Sequence, residues 1–516
     1  MWHGDLNITR EWFMKMTAYQ ATYDGTMEYV CNLSARLFKS SNIFEHRIND
    51  HWVLFAPDWP GFPVVVNDWV HRVLDRFQEG SLVSDVLSEL QTNQSLQESF
   101  DATFPTISFL EERGFLRDAP SCLPYQVPTG NSTAKPHYFG VWLHINNNCN
   151  LACSYCFVKE KSHTAMSTEV IRSTARAIAN TAKLYGVKRV GLKFAGGEPT
   201  LVVPLMETFQ DLLLEELRGT DVELHTAVLS NGTILNQRLL SFLKRPNTCI
   251  GISLDGYGTS HDIFRVFKNS RKGSWKTIMQ NIEILREHSI TPFIMATISA
   301  ETNKSLPQLV KWIYRNNFKT RLSVVRQPNC SWNCSSQQVH EYKLLCDTMK
   351  DAFERAFVEL EDPSFLIDLR VALRICELHF ENPANGVPCG IGETHLVIKP
   401  NGNLARCPMT IDETGVAPSN DLLSSCRECF TYSFSQRKYE SLDDECLNCK
   451  WFPVCAGGCP ITNLRINGHP FTKSPLCDFY KYIIPRYLIF FGRKLLHAAD
   501  KAEHMQPSII KKSIIY

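Results

Sequence analysis

The sequence predicts an α/β protein: an incomplete parallel barrel of six β/α units, preceded by a winged helix-turn-helix-like unit and followed by a cysteine-rich region. Three observations carry this. From Tyr138 onward, apolar strand-like runs alternate with amphipathic helical stretches, the pattern of a parallel sheet with helical crossovers. Before it stands a short group of strand and helix signals closed by a Pro-, Ser- and Thr-rich loop. Past about residue 385 the alternation stops and cysteines dominate.

Taken in order, residues 1–43 form an N-terminal extension and residues 44–118 a compact unit. In that unit "FEHRI", "HWVLFA" and "FPVVV" read as strands. Asn67 is placed to cap the helix "DWVHRVLDRF", Ser81 to cap "LVSDVLSEL", and "TISFLEERGFLRD" closes the unit. The loop 119–137 is a linker. The barrel is expected over 138–384, with strands "YFGVWLHI", "KRVGLKFA", "VELHTAVLS", "TCIGISLD", "PFIMATIS" and "TRLSVV". The cysteine-rich region follows over 385–482. In the last segment, 483–516, "YKYIIPRYLIFFGRKLLHAA" is interrupted by Pro485, Arg486, Arg493 and Lys494, which predicts a docked terminal helix rather than a membrane span.

The charge balance, 54 basic against 53 acidic residues, gives no broad electrostatic footprint for nucleic acid or a membrane surface. No run reaches the ~18 apolar residues of a membrane span, and "MWHGDLNITREWFMKM" has no signal-peptide character. A soluble, cytoplasmic protein is expected. Its 19 cysteines then point to metal ligation, because a reducing compartment does not favour structural disulfides.

In a parallel barrel the loops after the strands build the active site. Four such loops carry polar motifs: "NNNCNLACSYCFV", "GGEP", "SNGT" and "SLDG". They are expected to converge on one rim. The first holds Cys149, Cys153 and Cys156 as C-x3-C-x2-C. Three thiolates on one loop suit a [4Fe–4S] cluster with one iron open to another ligand, whereas zinc usually takes four ligands in two close pairs.

On these residues the chain resembles the radical S-adenosylmethionine (SAM) superfamily, whose motif C-x3-C-x-Φ-C is met with Tyr155 as the aromatic Φ, and whose second motif is met by "GGEP". The resemblance covers about 138–330. It implies that Tyr155 lies beside the adenine, that Gly196, Gly197, Glu198 and Pro199 meet the amino end of SAM, and that Ser253, Asp255 and Arg265 stand where relatives place ribose and carboxylate ligands. An ordinary turn and a surface arginine are the bland alternatives for those last three.

The C-terminal region resembles the SPASM domain, which holds two auxiliary clusters. By that resemblance Cys389, Cys407 and Cys459 bind the first, and Cys446, Cys449, Cys455 and Cys477 the second, giving three [4Fe–4S] clusters in all. Relatives carry one more cysteine after the first; here only His395 is available, or else the pair Cys426 and Cys429, or an open iron. Zinc at four of these positions is the competing metal. Cys330 and Cys334 form another C-x3-C, and Cys31, Cys122, Cys249, Cys346 and Cys376 are read as packing.

The family splits SAM to a 5′-deoxyadenosyl radical that abstracts hydrogen from an unactivated C–H bond. The N-terminal unit resembles a RiPP recognition element, which captures the leader of a ribosomally made precursor peptide by adding it as a strand. These resemblances imply a peptide maturase installing a thioether or carbon–carbon cross-link, with a precursor peptide and a flavodoxin or ferredoxin reductant as partners. The alternative is a sulfatase-maturation type enzyme that makes formylglycine. Those relatives place an Asp directly after the cysteine of G-x4-C, where this chain has Pro408.

Overall fold

The computed structural model describes residues 33–91, 96–120, 137–159, 161–326, 336–361, 374–375, 378, 380, 389, 394–429 and 444–501. Cys31, Cys122, Cys330, Cys334 and Cys376 lie outside these residues, as do the side chains of Cys426 and Cys429.

The N-terminal unit begins at Arg36 rather than at residue 44. Strand β1 (Arg36–Lys39) is the middle of a small sheet, antiparallel to β5 (Ser81–Leu82) on one side and β6 (Leu116–Arg117) on the other. A four-residue strand far from its partners leaves little sequence signal. The three strands "FEHRI", "HWVLFA" and "FPVVV" form an antiparallel meander of β2 (Phe44–Ile48), β3 (His51–Phe55) and β4 (Val64–Asn67). Asn67 caps helix α1 (Asp68–Asp75) as expected, its side chain accepting from the Val70 N–H at 3.0 Å. Ser81 does not cap α2 (Val83–Gln91). It is paired in β5, and its hydroxyl donates to the Arg76 carbonyl at 2.8 Å. Helix α3 (Leu96–Glu112) completes the unit.

The meander is buried on both faces because its apolar residues do not alternate with polar ones. Leu54, Val64 and Val66 join Val73, Leu74, Ile107 and Leu110 in the unit's own core. Val53, Phe55 and Val65 point the other way and join the main core of the molecule.

From Tyr138 the six expected strands all form: β7 (Tyr138–Asn146), β8 (Arg189–Gly196), β9 (Glu223–Ser230), β10 (Thr248–Ser253), β11 (Phe293–Ile298) and β12 (Thr320–Val324). They pair in sequence order, all parallel. Amphipathic helices cross between them, α4 (Thr168–Tyr185), α5 (Val203–Glu216), α6 (Gln237–Leu243), α7 (Trp275–Glu287) and α8 (Leu306–Arg315), before α9 (Ser336–Leu360). Helix α4 shows how the sequence sets such a helix. Ser167 accepts from the Val170 N–H, and Gly186 closes the helix at φ +63°, where a side chain would be strained.

The sheet is larger than six strands. β13 (Arg374–Ile375) extends it past β12, and β14 (His395–Ile398) pairs parallel with β7 on the opposite edge, giving eight parallel strands; β15 (Leu404–Ala405) adds antiparallel to β14. The expected boundary at residue 384 therefore cuts through the sheet, and the start of the cysteine-rich region belongs to the barrel wall.

Along each parallel strand one set of side chains packs under the helices and the other lines the lumen. On β7, Phe139, Val141, Leu143 and Ile145 are core residues, leaving Gly140, Trp142, His144 and Asn146 for the lumen. Rings floor the lower lumen: His395 covers Gly140, Tyr138 covers Gly191 and Phe293 covers Gly251, each so close that a Cβ on the glycine would lie 2.1–2.3 Å from the covering side chain. Cys249, expected in the core, is exposed on the lumen side of β10 because Ile250 takes the helix-facing position.

Apart from one-turn helices at Thr259–Asp262, Asp444–Leu447 and Phe452–Cys455, the remaining described helices are α10 (Leu422–Cys429), α11 (Pro460–Asn467) and α12 (Cys477–Lys501). α12 is the docked terminal helix that its charges predicted, starting at Cys477. It packs along α9 and across all three strands of the N-terminal meander. Contact is close at Gly492, where a Cβ would lie 2.2 Å from Val53 Cγ2. Among the described residues no helix is long and apolar enough to cross a membrane.

Candidate functional site

The four strand-following loops meet on one rim. The chain leaves β7 through a bulge between His144 and Asn146 and enters the cysteine loop. The Gly196 and Gly197 segment packs directly against that loop: Gly197 N–H donates to the Asn146 carbonyl and Glu198 N–H to the Asn148 carbonyl, both at 2.8 Å. A Cβ on Gly196 would sit 2.3 Å from the Asn146 oxygen, and one on Gly197 2.2 Å from the Asn148 oxygen. The glycines thus let two backbones approach each other, a requirement apart from the expected approach of SAM. Gly196 also needs its φ of +147°.

Glu198 is buried and works as a clamp. Its carboxylate accepts from the Thr200 and Asn231 N–H groups and from the Thr200 and Ser230 hydroxyls, tying the turn that starts at Pro199 to the "SNGT" loop. Burial pushes its pKa up, and these donors pull it back. Asn231 then reaches the cysteine loop, donating to the Asn150 side chain at 2.8 Å and towards the Cys149 sulfur at 3.8 Å. Asn150 and Asn231 were not singled out in the sequence, although both motifs containing them were.

Across the rim, Tyr155, Asp255 and Arg265 form one group. Asp255 accepts from the Thr297 N–H at 2.9 Å, from Arg265 Nε at 2.6 Å and from the Tyr155 hydroxyl. The Arg265 guanidinium lies 5.5 Å from the Tyr155 ring centroid. Far from being a surface arginine, Arg265 is largely buried against a fully buried carboxylate. His261 supports the group from behind: its Nδ1 accepts the Asp255 N–H and its Nε2 meets the Ser274 hydroxyl. Burial pushes the His261 pKa down to about 3, so the ring is neutral. Ser253 stands at the end of β10, paired with Met295 and half-buried.

Of the three loop thiols, Cys149 is buried and pushed up to about 11 by desolvation, and Cys153 is also raised by burial, with Arg265 and Lys161 opposing. Protonated thiols held in this way must release protons to bind iron.

The C-terminal thiols fall into two neighbourhoods. Cys407 has the Cys459 and Cys389 thiols and the Arg326 guanidinium as neighbours, and burial pushes it up to about 12. Cys446, Cys449, Cys455 and Cys477 line one cavity together with Lys473 and Lys481. Tetrahedral zinc would draw its sulfurs to about 3.8 Å from one another. Among the described residues the trio of potential ligands drawn within 4.8 Å is Glu45, His71 and Asp75, with no cysteine set that tight. Lys39 already bonds both Glu45 and Asp75 of the tight trio. His395, the rival ligand, lies on the lumen floor, its ring centroid 5.3 Å from that of Tyr138 and its Nδ1 3.0 Å from the Thr394 hydroxyl.

Residues 143–313 match the family model of the Radical SAM superfamily. A cysteine-type anaerobic sulfatase-maturating enzyme of Clostridium novyi (strain NT) is 25% identical over 335 residues, covering 61% of this chain and 85% of that protein. The radical SAM cyclopropyl synthase TigE of Paramaledivibacter caminithermalis is 18% identical over 444 residues, covering 82% and 89%. Among solved structures, native anSMEcpe with bound AdoMet shares the fold with a TM-score of 0.54 at 18% identity, covering 70% of this chain and 99% of that one. The chain therefore carries a radical SAM domain, and that family implies a [4Fe–4S] cluster and S-adenosylmethionine as its working groups.

Proposed function

We propose that this protein is a maturase that modifies a ribosomally made precursor peptide by forming a thioether or carbon–carbon cross-link. The observation that supports this reading above others is the N-terminal unit. Its antiparallel meander ends in β2 and β4, each with one strand partner among the described residues, so an extended leader can add as a further strand. The packing of that meander on α12 anchors the unit to the catalytic part.

In this reading Cys149, Cys153 and Cys156 hold the SAM-binding cluster, with Tyr155, the Gly196–Pro199 turn, Ser253, Asp255 and Arg265 around SAM. Cys389, Cys407 and Cys459 hold the first auxiliary cluster, and Cys446, Cys449, Cys455 and Cys477 the second. When bound and reduced, the cluster with SAM supplies hydrogen abstraction from an unactivated C–H bond. The chain's own residues do the rest. The Glu198 clamp fixes the glycine turn against the cysteine loop, the Asp255–Arg265–Tyr155 group fixes the opposite rim, and the ring-covered floor closes the lumen below. A flavodoxin or ferredoxin in the cytoplasm is the proposed reductant.

Sulfatase maturation is the second reading, favoured by the likeness to the Clostridium novyi enzyme over most of that enzyme's length. Pro408 after Cys407 speaks against it, because the Asp expected of those relatives is missing there.

The two separate in one anaerobic assay. The reconstituted protein is given SAM, a reductant and either any short peptide that a reading frame adjacent to its gene encodes or a synthetic cysteine-containing sulfatase-motif peptide, and the products are analysed by mass spectrometry. Loss of two hydrogens with a new cross-link in the first peptide is the expected result. Formylglycine in the second peptide alone would overturn it. Iron should stand at about twelve per chain, four for each of three clusters; a value near four would remove the auxiliary clusters from the proposal.

A further inference from the structure

Nine buried side-chain nitrogen or oxygen atoms among the described residues have no hydrogen-bond partner, and four of them sit on one strand face: Trp142 Nε1, His144 Nδ1 and Nε2, and Asn146 Oδ1. These are alternate residues of β7, with Asn146 standing just past the bulge that follows His144 and leads into the cysteine loop. Buried polar groups are nearly always satisfied, so a cluster of exceptions on one face marks a missing occupant. His144 and Asn146 are 0% and 1% exposed. Asn146 keeps one anchor, donating from Nδ2 to the Glu198 carbonyl at 3.0 Å, so its oxygen is held in place.

The row lies between two segments that carry cysteines. Trp142 packs, as do Cys156 and Phe157 of the first loop, against one cluster formed by Val158, Val397 of β14, and Ala405 and Ile411 from the segment around Cys407. The segments are tied there, Asp412 accepting from the Lys159 N–H at 2.9 Å. The Asn147 side chain is near enough to His144 to act as a weak hydrogen-bond partner for one ring nitrogen, though not in an aligned bond, and Asp412 and Lys399 are the charged groups facing the ring. Burial pushes His144 down to about 4, so at neutral pH the ring presents one N–H donor and one bare nitrogen acceptor. Trp142 adds a donor and Asn146 an acceptor. A carboxylate would leave the acceptors unmatched and an ammonium the donors; a secondary amide, with one carbonyl and one N–H, complements both.

We propose that Trp142, His144 and Asn146 are positioning residues that grip one backbone amide of the peptide being modified, holding it between the Cys156 loop and the Cys407 segment. This rests on the peptide-maturase reading. It locates the substrate on the β14 side of the cysteine loop, across from the Asp255–Arg265 rim.

The test uses the reconstituted protein and any short peptide that a reading frame adjacent to its gene encodes. Trp142→Phe and His144→Leu should each raise the peptide KM tenfold or more, with a smaller fall in kcat and with SAM affinity in equilibrium dialysis within twofold of wild type. His144→Gln, which keeps a donor and an acceptor, should recover most of the loss. Trp142→Phe preserves the packing and carries the test if His144→Leu fails to fold. An unchanged KM in Trp142→Phe and His144→Leu would overturn the proposal and leave buried water as the occupant. Weakened SAM affinity with unchanged peptide KM would also overturn it, by placing SAM on the row. A wild type that modifies no peptide would sink the maturase reading itself, and the row with it; a wild type that does so beside unaffected variants would sink the row alone.

Discussion

The two cysteine-bearing regions are built by opposite means. Around Cys149 the protein supplies the scaffold: a parallel strand, a bulge, two glycines pressed against the loop backbone and side-chain bonds from Glu198, Asn231 and Lys161. Around Cys446, Cys449, Cys455 and Cys477 there are four-residue helical turns, a cavity and the start of α12, tied by Lys473 and Lys481 to Glu445 and by Asn463 to the Gly457 and Thr472 carbonyls. A site framed by tertiary hydrogen bonds keeps its shape when empty. One assembled from short turns, even with such ties, takes more of its order from what it binds, as small metal domains do.

The largest effect should come from removing metal from the second region. With Cys446→Ala and Cys455→Ala combined, residues 444–477 should become the first site of limited proteolysis, while the barrel between 168 and 326 stays resistant. Equal resistance of both regions would erase the contrast. On the rim, Arg265→Ala leaves the Asp255 carboxylate buried beside the Tyr155 hydroxyl and one backbone N–H. Breaking such a pair costs about 3–5 kcal/mol, which a shift in urea midpoint reads directly, and SAM binding should be lost with it.

Acid should weaken the rim in a graded way. His144 and His261 are held at about 4 and about 3 by burial, against 6.5 for an ordinary histidine, so the unfolded chain binds more protons than the folded one below pH 6.5. Their contribution is whole above pH 6.5 and is lost as pH falls through 4 and then 3. Between pH 7 and 5 each should cost about 2 kcal/mol. His261→Gln should have a flatter pH dependence than wild type over that range; parallel curves would show that the ring is not held neutral. The smallest change is expected from His395→Ala. A floor residue should leave the auxiliary-cluster spectrum and potential as in wild type and cost less than about 2 kcal/mol. A shifted potential would make it a ligand, lending part of the barrel to the second region.

The contrast also explains what could be read in advance. All six strands from "YFGVWLHI" to "TRLSVV" were legible because buried parallel strands are continuous apolar runs, and the Ser167 and Gly186 boundaries of α4 follow local chemistry. β1 and β14 were not: each is four residues long and is fixed by partners distant in sequence. Ser81 misled for the same reason, since pairing with Leu37 overrode its capping preference. The cysteines announced themselves by spacing. The residues that complete the rim around them, Asn231, His261 and the lumen face of β7, carry no spacing signal and emerge only when strands lie side by side.

Helix α12 has a consequence for how such enzymes can be recombined. It starts at a proposed metal ligand, Cys477, and along its length covers the meander residues Val53, Phe55 and Val65, each of which gains about 1.5–3 kcal/mol from leaving water. The N-terminal unit is therefore not an interchangeable cartridge. A graft that transplants residues 36–117 without α12 exposes an apolar sheet on one product and an apolar helix on the other, so a working chimera has to exchange both ends of the chain together.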